Sequence, residues 1–162
     1  MGGHCGSRAR GYVGAMDAHS YRADPNVPEF ADDAPVVVFD GHCALCSGWV
    51  GFLMEHDDGA FRFVPAQSDL GEALYAHYGF KSGDYDTNIL IEDGMARVRS
   101  DGTLAMFAHL GWPWRAVGWL RVLPERWRDW GYERIARNRL RWFGRRESCR
   151  VAGPEERGRF LA

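Results

Sequence analysis

Two cysteines separated by two residues, Cys43 and Cys46 in the run Phe39-Asp40-Gly41-His42-Cys43-Ala44-Leu45-Cys46, have the spacing of a redox dithiol. A thiol is a poor nucleophile until it ionises. A free cysteine has a pKa near 8.5, and in Cys-x-x-Cys pairs at a helix N-terminus this falls to about 3.5–7.5. Unpaired N–H groups and the helix dipole favour the thiolate there. A second cysteine three residues on returns one helical turn later, close enough to attack a mixed disulfide on the first. Cys43 is therefore the expected attacking thiol and Cys46 the resolving one. Ala44 and Leu45 are uncharged, so the helix is expected to supply most of the thiolate stabilisation.

The neighbouring residues have two readings each. Asp40 could take the proton from Cys46 during resolution, or bond the backbone N–H groups of the turn as a cap. His42, when protonated, could stabilise the Cys43 thiolate, or be a solvated turn residue. Cys149 is a possible third redox thiol or an incidental one, and Cys5 has no expected role. The pair could also be half of a zinc site. Such a site needs four ligands, and no second Cys-x-x-Cys or His-x(3-5)-His follows. No metal or cofactor is expected.

The elements that position the dithiol can be read from the flanking pattern. Val36-Val37-Val38-Phe39 is a short buried strand ending at Asp40-Gly41. Leu45, Trp49, Phe52 and Leu53 then recur at helical spacing until Asp57-Asp58-Gly59. Phe61-Arg62-Phe63-Val64 alternates as a second strand stopped by Pro65. Ser68 or Asp69 caps a helix whose Leu70, Ala73, Leu74, His77 and Tyr78 share a face. Asn88–Ile91 and Met95–Val98 flank Glu92-Asp93-Gly94 as a hairpin, and Ser100 or Asp101 caps a third helix through Leu104, Phe107 and Leu110. Strand, helix, strand, helix, hairpin, helix is an α/β order with a mixed sheet, a βαβ-ββα thioredoxin-like core. Residues 112–150 read as a helical Arg/Trp-rich extension packed on this core (35–111), with a longer helix from Glu125 to Phe143. Residues 1–34 read as a disordered leader, in which Met16 is an alternative start, and 151–162 as a tail.

Composition bounds the function. A chain of 162 residues with 46% hydrophobic content can bury one core without disulfide staples, and four cysteines do not make a scaffold. With no basic start followed by an apolar run, no export signal is read, and no window is long and apolar enough to span a membrane. The expectation is a soluble cytoplasmic protein, or one lying on a membrane surface at most. Net charge is −2, divided as −2 over residues 1–34, −7 over 35–114 and +7 over 115–162. The basic third could dock on the acidic body or meet an anionic partner. Its tryptophans, Trp112, Trp114, Trp119, Trp127, Trp130 and Trp142, are expected to pack, with Trp127, Trp130 and Ile135 on the domain and the arginines outward. A membrane surface is the lesser reading, and no nucleic-acid partner is expected.

Asp40-Gly41-His42-Cys43-Ala44-Leu45-Cys46 with Trp49, Phe63-Val64-Pro65-Ala66-Gln67-Ser68, Gly111-Trp112-Pro113-Trp114-Arg115, and the run from Ala136 to Arg150 together resemble the DCC family of thiol-disulfide oxidoreductases, from about Val36 to Val151. The resemblance implies a thioredoxin-like fold, a dithiol on Cys43 and Cys46 with Asp40 as the family's aspartate, and a place for Cys149 in its Gly-Arg-Arg-x-x-Cys-Arg segment. It implies an enzyme exchanging disulfides with protein or small-thiol substrates and served by an unidentified electron donor. The alternative is a non-catalytic or metal-binding module of the same fold, with a basic partner-binding tail. Thioredoxins place a cis-proline opposite the cysteines, whereas the matching stretch here, Asp86-Thr87-Asn88, has none. A non-proline cis bond costs about 2.5–4 kcal/mol, so a trans peptide is expected.

Overall fold

β1 (Val36–Phe39) is apolar at every position because both of its faces are covered. Its four residues are fully buried, with Val36 and Val38 in one core cluster and Val37 and Phe39 in another. The computed structural model describes residues 20–81, 83, 85–145, 153–154 and 156–161. Around β1 the chain forms α1 (Ala44–His56), β2 (Arg62–Pro65), α2 (Asp69–His77), β3 (Ile89–Glu92), β4 (Met95–Val98), α3 (Arg99–His109) and α4 (Glu125–Phe143), with 3-10 turns at Tyr21–Ala23, Trp114–Val122 and Arg157–Arg159.

The sheet order is β2-β1-β3-β4, with β1 parallel to β2 and antiparallel to β3. It is the expected mixed α/β sheet, consistent with a thioredoxin-like core. The cluster containing Val36 and Val38 takes Leu70, Leu74 and Tyr75 from α2. The cluster containing Val37 and Phe39 takes Val50 and Leu53 from α1 and Ala105 and Met106 from α3. Helices thus cover both faces, and the site end of β1 opens into the Asp40–Cys43 turn. The β3–β4 connection has positive φ at Asp93 (50°) and Gly94 (77°), the twist that closes a two-residue hairpin. Residues 86–88 hold trans peptides, and the cis peptide among the described residues is Trp112–Pro113.

Several boundaries differ from the sequence expectation. The part of the expected leader that is described, residues 20–34, packs on the domain. Tyr21 is buried and stacks on Phe30 with ring centroids 5.0 Å apart, and Asp24 pairs with His77 at 2.7 Å. The expected tail also folds back: Leu161 N donates to Phe63 O at 2.9 Å, and Phe160 bridges Phe63 along the outer edge of β2, which covers an otherwise open strand edge. β2 includes Pro65, tolerated at the end of an edge strand. α3 starts at Arg99 without a side-chain cap, because the Ser100 hydroxyl instead donates to Asp129 of α4.

The largest correction concerns the extension. Helix α4 packs through Asp129, Tyr132 and Arg139, while Trp127 is 67% exposed, Trp130 71% and Ile135 47%. Trp127, Trp130 and Ile135 face out and an arginine faces in, the reverse of the expectation. Among the extension's tryptophans, Trp114 does pack, edge-on against Phe52 at 4.9 Å.

The approach of α2 to β2 can be tested at Gly71, where an added Cβ would lie 2.2 Å from the backbone oxygen of Pro65. Alanine gains roughly 1 kcal/mol of helix propensity over glycine, whereas overpacking against backbone costs typically 1–3 kcal/mol. Gly71→Ala is therefore expected to lower the denaturant midpoint, and an unchanged or raised midpoint would show that α2 is free to shift.

Candidate active site

The Cys43 sulfur is the N-cap of α1. Cys43 has extended backbone (φ −82°, ψ 123°), and its Sγ accepts the Cys46 N–H at 3.3 Å, the place a serine or aspartate oxygen ordinarily takes. The sequence Asp-Gly between strand and helix produces this geometry: Cys43 N donates to Asp40 O at 3.3 Å, and Ser47 Oγ donates to Gly41 O at 3.3 Å, fixing the turn from both sides. Both cysteines are free thiols. Cys43 is fully buried and Cys46 is 6% exposed.

Their electrostatics diverge. The Cys43 pKa is lowered to about 6, chiefly by the hydrogen bond from the Cys46 thiol, against the opposing effect of burial, with further help from the Cys46 backbone N–H and the Arg139 charge; Asp40 works the other way. The Cys46 thiol is pushed up strongly, first because it donates to Cys43 and then because it is buried. The pair is polarised into one thiolate and one retained thiol.

Asp40 ties three parts of the chain together. Its Oδ1 accepts from His42 N at 2.9 Å and from Gln67 Nε2 at 2.7 Å, and its Oδ2 accepts from Arg139 Nη2 at 3.4 Å. Gln67 in turn accepts from Gly41 N at 3.1 Å. The His42 backbone belongs to this network, while its imidazole makes no hydrogen bond to a described residue. Cys149 lies outside the described residues.

Arg139 was not singled out in the sequence. It is 7% exposed and donates to Tyr85 O at 2.9 Å and Ala136 O at 3.1 Å besides Asp40, while its Nε has no partner. The signal was the spacing Tyr132, Ala136, Arg139 on one inward stripe of α4. Tyr132 marks the same stripe. It is half-buried, desolvation pushes its pKa up to about 12, and its oxygen accepts from Asn88 N at 3.4 Å. The Tyr75 hydroxyl donates to Thr87 O, so the Asp86–Asn88 stretch is held by two phenols, both kept protonated first by desolvation. A cleft of about 280 Å³ opens beside it, lined by Phe80, Asp86, Thr87, Tyr132 and Ala136 among others.

Past Gly144, whose φ of 83° ends α4, the chain turns onto the dithiol. Arg145 forms an antiparallel bridge with Cys43, and Ala44 N donates to Gly144 O at 3.4 Å. Among the described residues no group of three or more His, Cys, Asp or Glu is arranged to hold a metal ion, and no helix is long and apolar enough to cross a membrane.

Comparison with known proteins places these features in a wider set. The DCC1-like thiol-disulfide oxidoreductase family matches residues 37–145. The uncharacterized protein YuxK of Bacillus subtilis is 37% identical over 127 residues, covering 78% of this chain and 93% of that protein. A chloroplastic DCC family protein of Arabidopsis thaliana is 33% identical over 122 residues, covering 74% of this chain and 71% of that protein. No solved structure gives a significant match.

The polarised pair makes a titration prediction for the reduced chain with Cys5 and Cys149 replaced by serine. Ultraviolet thiolate absorbance should show Cys43 ionising near pH 6 and Cys46 remaining protonated well above the ordinary thiol range. Cys46→Ala and Arg139→Gln should each raise the Cys43 midpoint toward about 8.5. Asp40→Asn should lower it while costing about 3 kcal/mol of stability, because it strands a buried guanidinium. Since the folded-state pKa of Cys43 is depressed, the stability it contributes is present above the unfolded value and is lost as pH falls through about 6. A midpoint unchanged in both Cys46→Ala and Arg139→Gln would refute this account of the thiolate.

Proposed function

The chain belongs to the DCC1-like thiol-disulfide oxidoreductase family, and from that premise we propose that it exchanges disulfides with protein or small-thiol substrates through Cys43 and Cys46. The observation that carries this reading is the polarisation of the pair, a depressed Cys43 pKa beside a raised Cys46 pKa. A nucleophile must be ionised near neutral pH, and the resolving thiol must stay protonated until the mixed disulfide has formed.

In the reducing direction the Cys43 thiolate attacks one sulfur of a substrate disulfide. The new bond is Cys43 Sγ to substrate sulfur, and the other substrate sulfur leaves as thiolate and takes a proton. With the Cys43 charge gone, the hydrogen bond that held the Cys46 proton in place disappears and its pKa falls. Cys46 then gives its proton to solvent, attacks Cys43 Sγ and expels the second substrate thiolate. Two electrons pass to the substrate and a Cys43–Cys46 disulfide remains, to be reduced by a second dithiol or a small thiol. Asp40 serves as the anchor that turns Arg139 toward the sulfurs, a positioning role that its three bonds support. The cleft beside Thr87 and Tyr132 is suited to the substrate residue next to the reacting sulfur.

Cys43 is fully buried, so exchange requires the Gly144–Arg145 segment to part from Cys43 and Ala44. Among the described residues, that parting breaks the antiparallel bridge between Cys43 and Arg145 and the Ala44 N to Gly144 O hydrogen bond of 3.4 Å. A reducing compartment such as the cytoplasm suits a dithiol kept free.

Cys46→Ser, in the chain lacking Cys5 and Cys149, should trap a mixed disulfide on Cys43, located by peptide mass spectrometry. An adduct found only on Cys46 of the reciprocal Cys43→Ser chain would reverse the roles. Redox titration of the same chain with both site cysteines present, paired with metal analysis, should show reversible two-electron oxidation; stoichiometric zinc with no reversible disulfide would favour a metal-binding module instead.

A further inference from the structure

The surface that the dithiol chemistry leaves unexplained is the outer face of α4 and the 3-10 turn before it. Trp127, Trp130, Arg134, Arg137 and Arg141 follow one another at spacings of three and four, so they form one stripe of the helix. That stripe is turned away from the domain: Trp127 is 67% and Trp130 71% exposed, and in the preceding turn Trp119 is 80% and Val122 87% exposed. A soluble helix places its aromatic residues inward; this one spends its inward positions on Tyr132 and Arg139.

We infer that this face docks on an anionic lipid bilayer. Charge supports that occupant: Arg126, Arg134 and Arg141 have no ion-pair or hydrogen-bond partner for their guanidinium groups among the described residues, and residues 115–162 carry a net +7. The residue chemistry supports it too. Tryptophan favours the headgroup boundary, where its ring is buried and its N–H stays wet, and arginine stems snorkel toward the phosphates. Aliphatic Val122, Leu120 and Leu123 are also exposed, and acyl chains accept these whereas a single-stranded nucleic acid offers them no base to stack on. The face thus carries rings toward its N-terminal end and cations toward its C-terminal end, both available to one headgroup layer.

Docking this way places the inward stripe of α4, and with it Arg139 and the dithiol, directly behind the lipid-facing surface. The inference does not depend on the redox reading, because lipid binding is measured without turnover.

The test uses the full reduced chain and vesicles of phosphatidylcholine with or without about a third phosphatidylglycerol. Flotation should recover the protein with the anionic vesicles and not the neutral ones, with a blue shift of tryptophan emission and a loss of binding as salt screens the charges. Arg134→Gln with Arg141→Gln should weaken binding about 25-fold, taking roughly fivefold per arginine near a charged surface. Trp127→Ala with Trp130→Ala should abolish the blue shift contributed by α4 and weaken binding while the far-ultraviolet circular dichroism stays native. Three results would each overturn the inference: no recovery with anionic vesicles at low salt, unchanged binding in both double variants, or tighter binding to a single-stranded oligonucleotide than to the vesicles. A concentration-dependent dimer dissolved by the tryptophan variants would do the same and assign the face to a second copy of the chain.

Discussion

A guanidinium placed inside a protein has to be answered, and the answer given to Arg139 organises the site. Removing either partner of a buried ion pair costs about 3–5 kcal/mol because an uncompensated charge is left behind. Asp40 is the partner, and Gln67 and the Tyr85 and Ala136 carbonyls complete the cage. Satisfying one side chain thereby fixes the end of β1, the turn before α2 and the C-terminal third of α4 relative to one another. The cysteines sit inside that triangle, on the turn Asp40 caps.

Stability alone does not call for this arrangement, since well-packed apolar residues in place of a buried pair are often neutral or stabilising. What apolar residues cannot supply is a positive potential at a sulfur that burial would otherwise keep protonated. Arg139 lowers the pKa of both thiols and Asp40 raises both, so the pair sets a field common to the two sulfurs. The asymmetry between them comes from the hydrogen bonds: Cys43 accepts from the Cys46 thiol and the Cys46 N–H, and Cys46 is left holding the proton.

The strands and helices of the core were legible because each had a local signature: two-sided burial made β1 wholly apolar, Asp93-Gly94 dictated the hairpin, and Asp-Gly after an apolar run marked the strand-to-helix turn that carries Cys43. The role of Asp40 as a cap was legible from the Asp-Gly turn. Its second role was not, because Arg139 lies 99 positions away and nothing local in an arginine-rich helix distinguishes the buried arginine from its exposed neighbours. The expectation that Trp127 and Trp130 would pack failed for a related reason. Hydrophobic periodicity identifies a stripe but does not say which solvent it faces, and here the apolar stripe and the core-facing stripe of α4 are on opposite sides. The packing of Tyr21 and Phe160 was equally hidden: each is an aromatic in a mostly polar segment, and its partners on the sheet come together only in the fold.

The two stripes of α4 impose different demands on the same helix. The inner one must hold a charge to within hydrogen-bond distance of Asp40, which requires a rigid helix anchored at several points, and Tyr132, Asp129 and Arg139 provide that anchoring. The outer one needs only to present rings and cations, for which exposure suffices. Beyond the anchored turns Gly144, with its positive φ, turns the chain out of α4, and Arg145 meets Cys43 in an antiparallel bridge beside the Ala44 N to Gly144 O hydrogen bond. The backbone that covers Cys43 and the guanidinium that lowers its pKa thus come from adjoining parts of the chain.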